Sequence, residues 1–145
     1  MTHLSLSEKA QAQSVSKIWK FIKKYPSPAF LMGDFNNEPQ SRPLRFLAGL
    51  ETIGKQRTTL KDTWLLLHPE PRAGVESYQE EEARDAGLTF STDNLRKRID
   101  IIYLRDDTGS VRVTEIHTVG AKKSQDHAMA SDHLGLVAEV EAVPR

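Results

Sequence analysis

The chain has 145 residues, no cysteine, and 20 Lys and Arg residues against 20 Asp and Glu residues, so its formal net charge is zero. This length accommodates one domain, and the lack of cysteine excludes thiol catalysis, disulfide frameworks and cysteine-based zinc sites. The balanced charge argues against a protein that binds nucleic acids or membranes independently of sequence, so any phosphate recognition must be local.

The N-terminal segment predicts an amphipathic helix. Ser5 and Glu8 fit a capping box, in which the hydroxyl and the carboxylate each satisfy a backbone N–H. Apolar residues recur behind it at helical spacing, namely Ala12, Val15, Ile18, Trp19 and Ile22. The lysines of this segment are interpreted as a solvated face with cations near the helix C-terminus; a phosphate-binding stripe is the alternative.

A short buried strand is predicted next. Residues 29–32 form a continuous apolar run, which is typical of a strand covered on both faces. Residues 33–39 leave that strand as a loop, and Ser41 is predicted to cap a short helix that runs through Leu50. The residues of that helix expected to face inward are Leu44, Phe46 and Leu47.

The second half of the sequence is richer in strands. Residues 69–87 are predicted to form a surface loop, and the glutamates at 80–82 within it are interpreted as solvated. Segments with β-strand character follow at residues 88–90, 99–104, 111–117 and 134–140. The pattern predicts a single domain over residues 1–145 of the α/β (α+β) class.

Polar residues stand at the ends of these apolar strands in several places. Asp34 and Asn36 follow one strand, Asp100 lies within another, and Asp132 and His133 precede the last. A carboxylate on an apolar strand is costly to bury unless it is paired or coordinates a cation.

Each of these residues also has a structural interpretation. Asp100 by itself is equally well explained by a salt bridge to Arg98 or Lys97, and Asp132 with His133 by a helix or strand cap. Three other histidines lie in no recognisable motif, and we expect them to have surface or packing roles: His68, His117 and His127.

The combination is more specific than its parts. Residues 33–36 (Gly-Asp-Phe-Asn) after a strand, residues 97–102 within a later strand, and residues 131–133 (Ser-Asp-His) before the last strand occur in that order. This arrangement resembles the endonuclease/exonuclease/phosphatase superfamily. That superfamily comprises metal-dependent phosphodiesterases such as DNase I, abasic-site endonucleases, neutral sphingomyelinases and inositol-polyphosphate phosphatases.

Further segments extend the resemblance from His3 to about Val140. Residues 2–5 resemble the strand that carries a catalytic histidine in the DNase I and sphingomyelinase-like branches, while residues 62–64 and 88–90 resemble two intermediate landmarks of the family. The resemblance implies a DNase I-like β-sandwich fold, here mainly its C-terminal half, which would be a mixed sheet with helices on one face.

The resemblance also implies roles for individual residues. His133 would be the base or electrostatic partner near the attacked phosphorus, and Asp100 would orient it and stabilise its protonated form. Asp34 would position or deprotonate the attacking water. Asn36 would donate a hydrogen bond to a phosphoryl oxygen, and His3 would bind the phosphate or protonate the leaving group.

The same resemblance assigns Asp132 as a ligand of Mg²⁺ or Mn²⁺, for which hard oxygen donors are suited. A second Asp-His pair at residues 126–127 makes this assignment ambiguous. The later pair is chosen because Ser131 precedes it and a strand follows it directly, as in the family.

The family domain is built from two similar halves, and this chain begins at the strand that bears His3. The half that supplies an Asn and the principal metal-binding Glu is therefore expected to be absent. Asn37 and Asn94 are the only asparagines outside the motif at 33–36, and neither replaces it. We expect an incomplete metal site and a bare sheet face that is open to self-association or to a partner.

Three interpretations follow. In the first, the chain is a metal-dependent hydrolase of phosphodiester or phosphomonoester bonds, and its sequence is a fragment, a short isoform or an incomplete gene model. In the second, it is a non-catalytic truncated family member that acts through partner binding. In the third, it is an unrelated α/β domain in which Asp100 pairs with Arg98, far from His133. The first two predict that the site residues converge at one sheet edge.

The substrate stays undecided between nucleic acid, a phospholipid headgroup and an inositol phosphate. The opening segment favours the sphingomyelinase and general phosphodiesterase branches over abasic-site nucleases. No apolar run reaches the length of a transmembrane helix, and the N-terminus lacks the apolar core of a signal peptide. We therefore expect a soluble protein of the cytoplasm or nucleus.

Overall fold

A computed structural model of the chain describes residues 2–4, 7–68, 86–121, 125 and 129–144, with the backbone alone at residues 2 and 3. The loop predicted at 69–87 lies outside these residues except for its last two positions. The helices and strands, in chain order, are β1 (Thr2–His3), α1 (Glu8–Ile22), β2 (Ala29–Asp34), α2 (Arg42–Leu47), β3 (Lys61–Asp62), α3 (Thr63–Leu67), β4 (Asp100–Arg105), β5 (Val111–Val119) and β6 (Gly135–Ala142).

The main sheet has four strands in the order β1-β2-β4-β3. β1 runs parallel to β2, and β4 pairs antiparallel with both β2 and β3. The register sets His3 opposite Asp34 and Asp34 opposite Asp100. Backbone pairing alone therefore brings three of the predicted site residues into one row across the sheet.

Helices α1 and α2 cover one face of this sheet and form the core with it. The core side chains are Leu4, Val15, Trp19, Leu31, Phe35, Leu44, Phe46, Leu47, Leu60, Ile101 and Tyr103. The predicted mixed sheet with helices on one face is confirmed. No helix in the described part of the chain is long and apolar enough to cross a membrane.

The opposite face of β2 is only partly covered, so the prediction of a strand buried on both faces is wrong. Leu31 faces the helices and is 7% exposed, whereas Phe30 and Met32 on the other face are 38% and 39% exposed. A continuous apolar run predicts two faces that avoid water; here, one of those two faces is left partly open.

The remaining strands form a separate antiparallel hairpin, in which β5 pairs with β6 from Val111 opposite Ala142 to Val119 opposite Gly135. Val113 and Ile116 of β5 are buried, and β5 packs against α3. Residues 129–134 lead into β6, and this segment positions His133 beside the main sheet.

The helix ends differ from the predicted ones in detail. α1 begins at Glu8, and its N-cap is Ser7, whose Oγ accepts a hydrogen bond from the N–H of Ala10 at 3.4 Å. The capping box from Ser5 is therefore wrong, and Ser5 itself lies outside the described residues. In α2 the N-cap position is Ser41 as predicted, but its side chain makes no capping hydrogen bond, and the helix ends at Leu47. The three residues predicted to face inward are all fully buried.

Candidate active site

A carboxylate–imidazole pair forms the centre of the site. Nδ1 of His133 lies 2.7 Å from Oδ2 of Asp100. The same Oδ2 accepts a hydrogen bond from Oγ1 of the buried Thr89 at 2.6 Å. A carboxylate oxygen accepts hydrogen bonds, so this contact assigns a proton to Nδ1 of His133 and leaves Nε2 facing Asp34.

Asp34 faces the other nitrogen of this imidazole, with its Oδ2 3.7 Å from Nε2 of His133. The Oδ1 atom accepts a hydrogen bond from the backbone N–H of Asn36 at 2.8 Å. This contact closes a tight turn in which Asn36 adopts a left-handed φ of 50°, a conformation that Asn tolerates better than most residues. The turn aims the Asp34 carboxylate at His133.

The Asn36 side chain joins this turn to the first strand, since its Nδ2 donates a hydrogen bond to the carbonyl oxygen of Leu4. The register of β1 places the backbone of His3 beside Asp34. The His3 side chain lies outside the described residues. Asn36 is therefore at the predicted site, and His3 is there by its backbone position.

A buried glutamine that sequence analysis did not single out supports the same turn. Gln11 of α1 is fully buried, and its Nε2 donates to the carbonyl oxygens of Phe35 at 3.2 Å and Asn36 at 3.3 Å. Its Oε1 accepts from Nδ2 of Asn37 at 2.9 Å. A signal was available, because Gln11 precedes Val15 by four residues and so falls on the apolar stripe of the helix.

The salt bridge considered for Asp100 does not form. Arg98 instead makes a buried two-point contact with Asp62, at 3.1 Å to Oδ1 and 2.6 Å to Oδ2. Asp62 also caps α3 by accepting from the N–H of Trp64 at 3.1 Å. The structure thus contradicts the unrelated-domain interpretation, in which Asp100 pairs with Arg98 far from His133.

His133 of the later Asp-His pair lies at the site. Asp132 is exposed beside His133, whereas residues 126 and 127 lie outside the described part of the chain. The other two described histidines lie elsewhere: His68 stacks on Trp64 with ring centroids 4.2 Å apart, and His117 is on β5.

Charges around His133 favour its protonated form. Partial burial is the largest single influence and lowers the pKa of His133. The hydrogen bond and charge of Asp100, together with the charges of Asp34 and Asp132, outweigh it and raise that pKa above its ordinary value. An imidazolium at this position would face an anionic phosphate group.

The donor atoms of the site suit a hard cation. Asp34, Asp100 and His133 form a group whose possible ligand atoms all lie within 4.8 Å of one another, so it could hold a divalent ion. Hydrogen bonds already occupy Oδ2 of Asp100 and Nδ1 of His133. Asp132, the predicted ligand, is exposed beside His133 and does not belong to this group. Carboxylate oxygens match Mg²⁺ or Mn²⁺.

Comparisons with known proteins give one family match and several similar solved structures. A family model described as the Endonuclease/Exonuclease/phosphatase family matches residues 3–133. No curated protein matches the chain significantly.

Several solved structures are similar to the chain. One is a Danio rerio TDP2 humanized by 14 mutations, with 18% identity and a TM-score of 0.65 over 97% of this chain and 52% of that one. A second is an endonuclease/exonuclease/phosphatase from Bacteroides vulgatus, with 22% identity and a TM-score of 0.63 over 97% and 48%. A third is a functionally unknown conserved protein from Enterococcus faecalis V583, with 23% identity and a TM-score of 0.65 over 98% and 48%. The chain spans about half the length of these structures.

Proposed function

The chain belongs to the endonuclease/exonuclease/phosphatase family and has its DNase I-like fold, and from this premise we propose that it hydrolyses phosphodiester or phosphomonoester bonds with a divalent cation. Family membership supports a phosphodiester hydrolase-type function. The observation that carries the finer proposal is the row Asp100–His133–Asp34, with contacts of 2.7 Å and 3.7 Å.

In this proposal Asp34 acts on the attacking water. Oδ2 of Asp34 lies 3.7 Å from Nε2 of His133, and the proposed attacking water is bound beside these two atoms. Asp34 takes a proton from that water, and the resulting hydroxide attacks phosphorus. The bond to the leaving oxygen breaks, and that oxygen departs with the electron pair. His3, placed beside Asp34 by the register of β1, is proposed to protonate it or bind the phosphate.

His133 stabilises charge on the phosphoryl oxygens. Asp100 keeps the proton on Nδ1 and favours the imidazolium form, so Nε2–H can donate to an oxygen that becomes more negative during attack. Asn36 is proposed as a second donor to a phosphoryl oxygen. Asp132 is proposed to hold Mg²⁺ or Mn²⁺, which when bound would supply positive charge against the phosphate oxygens.

One observation favours a second candidate function, that of a non-catalytic family member that acts by binding a partner. The face of β2 that carries Phe30 and Met32 is partly open, and the chain spans about half the length of the structures it matches. We propose that further polypeptide covers this face, either a second copy of the chain or a partner. A partner could then also complete the metal site.

The proposal is tested by hydrolysis of bis-p-nitrophenyl phosphate with Mg²⁺ and with EDTA. We expect Mg²⁺-dependent turnover that is lost in His133→Ala and kept in the matched control His117→Ala. Light scattering on the same samples records the oligomeric state. A folded chain that shows no turnover at any oligomeric state would contradict the enzymatic proposal and favour partner binding.

A further inference from the structure

The solvent side of α1 carries a basic and aromatic surface near the C-terminal end of the helix. Residues 9–33 contain five lysines, no arginine and no acidic residue, although the whole chain has no net charge. Phe21 and Tyr25 lie among these lysines and are 59% and 52% exposed. Lysines alone are explained by solvation, but two large aromatic side chains in water forgo the free energy that burial would give. An ordinary solvated face therefore does not account for this surface.

Five exposed side chains form this surface, which we name the α1 patch: Lys17, Lys20, Phe21, Lys24 and Tyr25. Positions 17, 20, 21 and 24 have the i, i+3, i+4, i+7 spacing of one side of a helix. The turn continues beyond α1, because the N–H of Tyr25 donates to the carbonyl of Ile22 at 3.0 Å. The ring centroids of Phe21 and Tyr25 are 5.0 Å apart, so the two rings form one apolar spot beside the lysines.

Carboxylates at the same end of the molecule do not cancel the positive charge of the α1 patch. Asp107 is held there by Oγ of Ser27, which accepts from its N–H at 2.9 Å, but its carboxylate pairs with Arg105 at 2.6 Å. The Asp106 carboxylate accepts from backbone N–H groups of its own loop. Within the part of the chain that the structure describes, the three lysines of the patch form no ion pair. The patch therefore attracts an anionic partner.

The α1 patch lies at the opposite end of the molecule from the candidate active site. Gln11 contacts the turn after β2 that forms the site, and Phe21 is ten residues farther along α1, which is about 15 Å. Nη1 of Arg105 donates to the carbonyl oxygen of Tyr25 at 2.9 Å. Arg105 pairs with Ala29, the first residue of β2, whereas the site lies at the last. A partner bound to the patch thus leaves the site open.

We propose that the α1 patch binds the surface of an anionic lipid membrane. Membrane interfaces favour aromatic side chains, and each lysine near anionic headgroups strengthens binding. Two features favour a lipid surface over a nucleic acid. The cations are lysines alone, whereas arginine is the residue suited to phosphates in fixed positions. The rings of Phe21 and Tyr25 pack against each other at 59°, which suits their joint burial at an interface better than the stacking of successive bases.

Sedimentation with lipid vesicles tests the charged part of this proposal on the full chain. Vesicles of about 70% phosphatidylcholine and 30% phosphatidylserine are compared with vesicles of phosphatidylcholine alone. We expect binding to the first kind only, and weaker binding at high salt because the attraction is screened. Lys20→Ala combined with Lys24→Ala should lower the affinity roughly 25-fold, or about fivefold for each lysine. The matched control combines Lys61→Ala with Lys97→Ala, at exposed positions outside α1, and should change the affinity little.

The aromatic part of the patch is tested at constant charge. Phe21→Ser should lower the affinity for the anionic vesicles by roughly tenfold or more, because the ring is no longer buried at the interface. Leu66→Ser, at an exposed apolar position on α3, is the control and should not change it. Phe21→Trp adds a fluorescent reporter, whose emission should move to shorter wavelength when anionic vesicles are added.

Other outcomes overturn the membrane proposal. These are equal binding to both kinds of vesicle, binding to neither kind, and equal losses for the patch lysines and the control lysines. An oligonucleotide that binds through Lys20 and Lys24 while anionic vesicles do not would assign the patch to nucleic acid instead. Hydrolysis of bis-p-nitrophenyl phosphate is measured separately and is expected to be the same in the patch variants as in the wild-type chain. Loss of that turnover in the lysine variants would contradict the separation of the patch from the site.

Discussion

At the scale of single residues, the site depends on side chains that never touch a substrate. Gln11 is the clearest, because its amide satisfies two backbone carbonyls of the turn that aims Asp34. Thr89 has a similar role, since its hydroxyl donates a hydrogen bond to the Asp100 carboxylate and so orients it toward His133. Both residues fix the orientation of catalytic groups, and a small misplacement of such groups slows a reaction strongly.

Gln11→Met keeps the volume of the buried side chain and removes its hydrogen bonds. We expect a loss of about 1–3 kcal/mol in the free energy of unfolding, because buried carbonyls lose their partners. We also expect kcat to fall by roughly tenfold or more, with little change in KM, because the Asp34 turn shifts. Val15→Ala on the same helix is the control, expected to lower stability and leave kcat unchanged below the unfolding temperature. Equal effects of both variants on kcat would contradict a positioning role.

Tyr103 carries a buried hydroxyl that has no hydrogen-bond partner among the described residues. Burial, followed by the charge of Asp62, raises the pKa of this phenol well above its ordinary value. Tyr103→Phe should increase the free energy of unfolding by about 1 kcal/mol, because the variant keeps the edge-to-face contact with Phe35 and removes an unsatisfied group. Urea denaturation measures this change in the free energy of unfolding, and Tyr25→Phe, at an exposed position, is the control. A less stable Tyr103→Phe would show that the hydroxyl is hydrogen-bonded in solution.

At the scale of elements, the sequence predicted the strands that carry the site better than the ends of the helices. The resemblance to the family, which rests on the order of the motifs, predicted that Asp34, Asp100 and His133 converge, and the structure brings them together. The cap at Ser7 was missed because Ser5 and Glu8 have the spacing of a capping box, whereas the residue three positions after Ser7 is Ala10, which has no carboxylate to signal the cap. The pairing of Arg98 with Asp62, 36 residues away in sequence, was missed because long-range contacts have no local signal.

The Asp62–Arg98 pair joins α3 and β3 to the segment that leads into β4, and it is almost fully buried. Arg98→Met should lower the free energy of unfolding by about 3–5 kcal/mol, because it leaves a buried carboxylate without a partner. The matched control is Arg112→Met, whose exposed pair with Glu141 contributes about 0–1 kcal/mol at most. Thermal or urea unfolding distinguishes them. Similar losses for both arginines would mean that the buried pair has no special structural role.

At the scale of the whole molecule, the sequence predicted one of the two faces of β2 incorrectly. An apolar run shows that both faces avoid water, but it does not show what covers them. In this chain α1 and α2 cover Leu31, while Phe30 and Met32 are partly open. The expected bare sheet face is therefore present in part.

We predict that copies of the chain associate with one another through this face of β2. Light scattering of the wild-type chain should give a mass above the 16.3 kDa of one copy, and Met32→Glu should restore the monomer because a charge on the face opposes its burial. Phe21→Glu, at an exposed position on α1, is the control and should not change the mass. A wild-type chain that stays monomeric at high concentration would contradict self-association and leave a different partner as the occupant.

The most direct test of the proposed catalytic pair is a double-mutant cycle on Asp100 and His133, with hydrolysis of bis-p-nitrophenyl phosphate as the readout. We expect Asp100→Asn and His133→Ala each to lower kcat by roughly 10²–10⁴-fold. The double variant should be no worse than the poorer single variant, because the two residues act as one unit. Single losses that simply multiply in the double variant, or single variants that keep wild-type turnover, would show that the two residues do not form a catalytic pair.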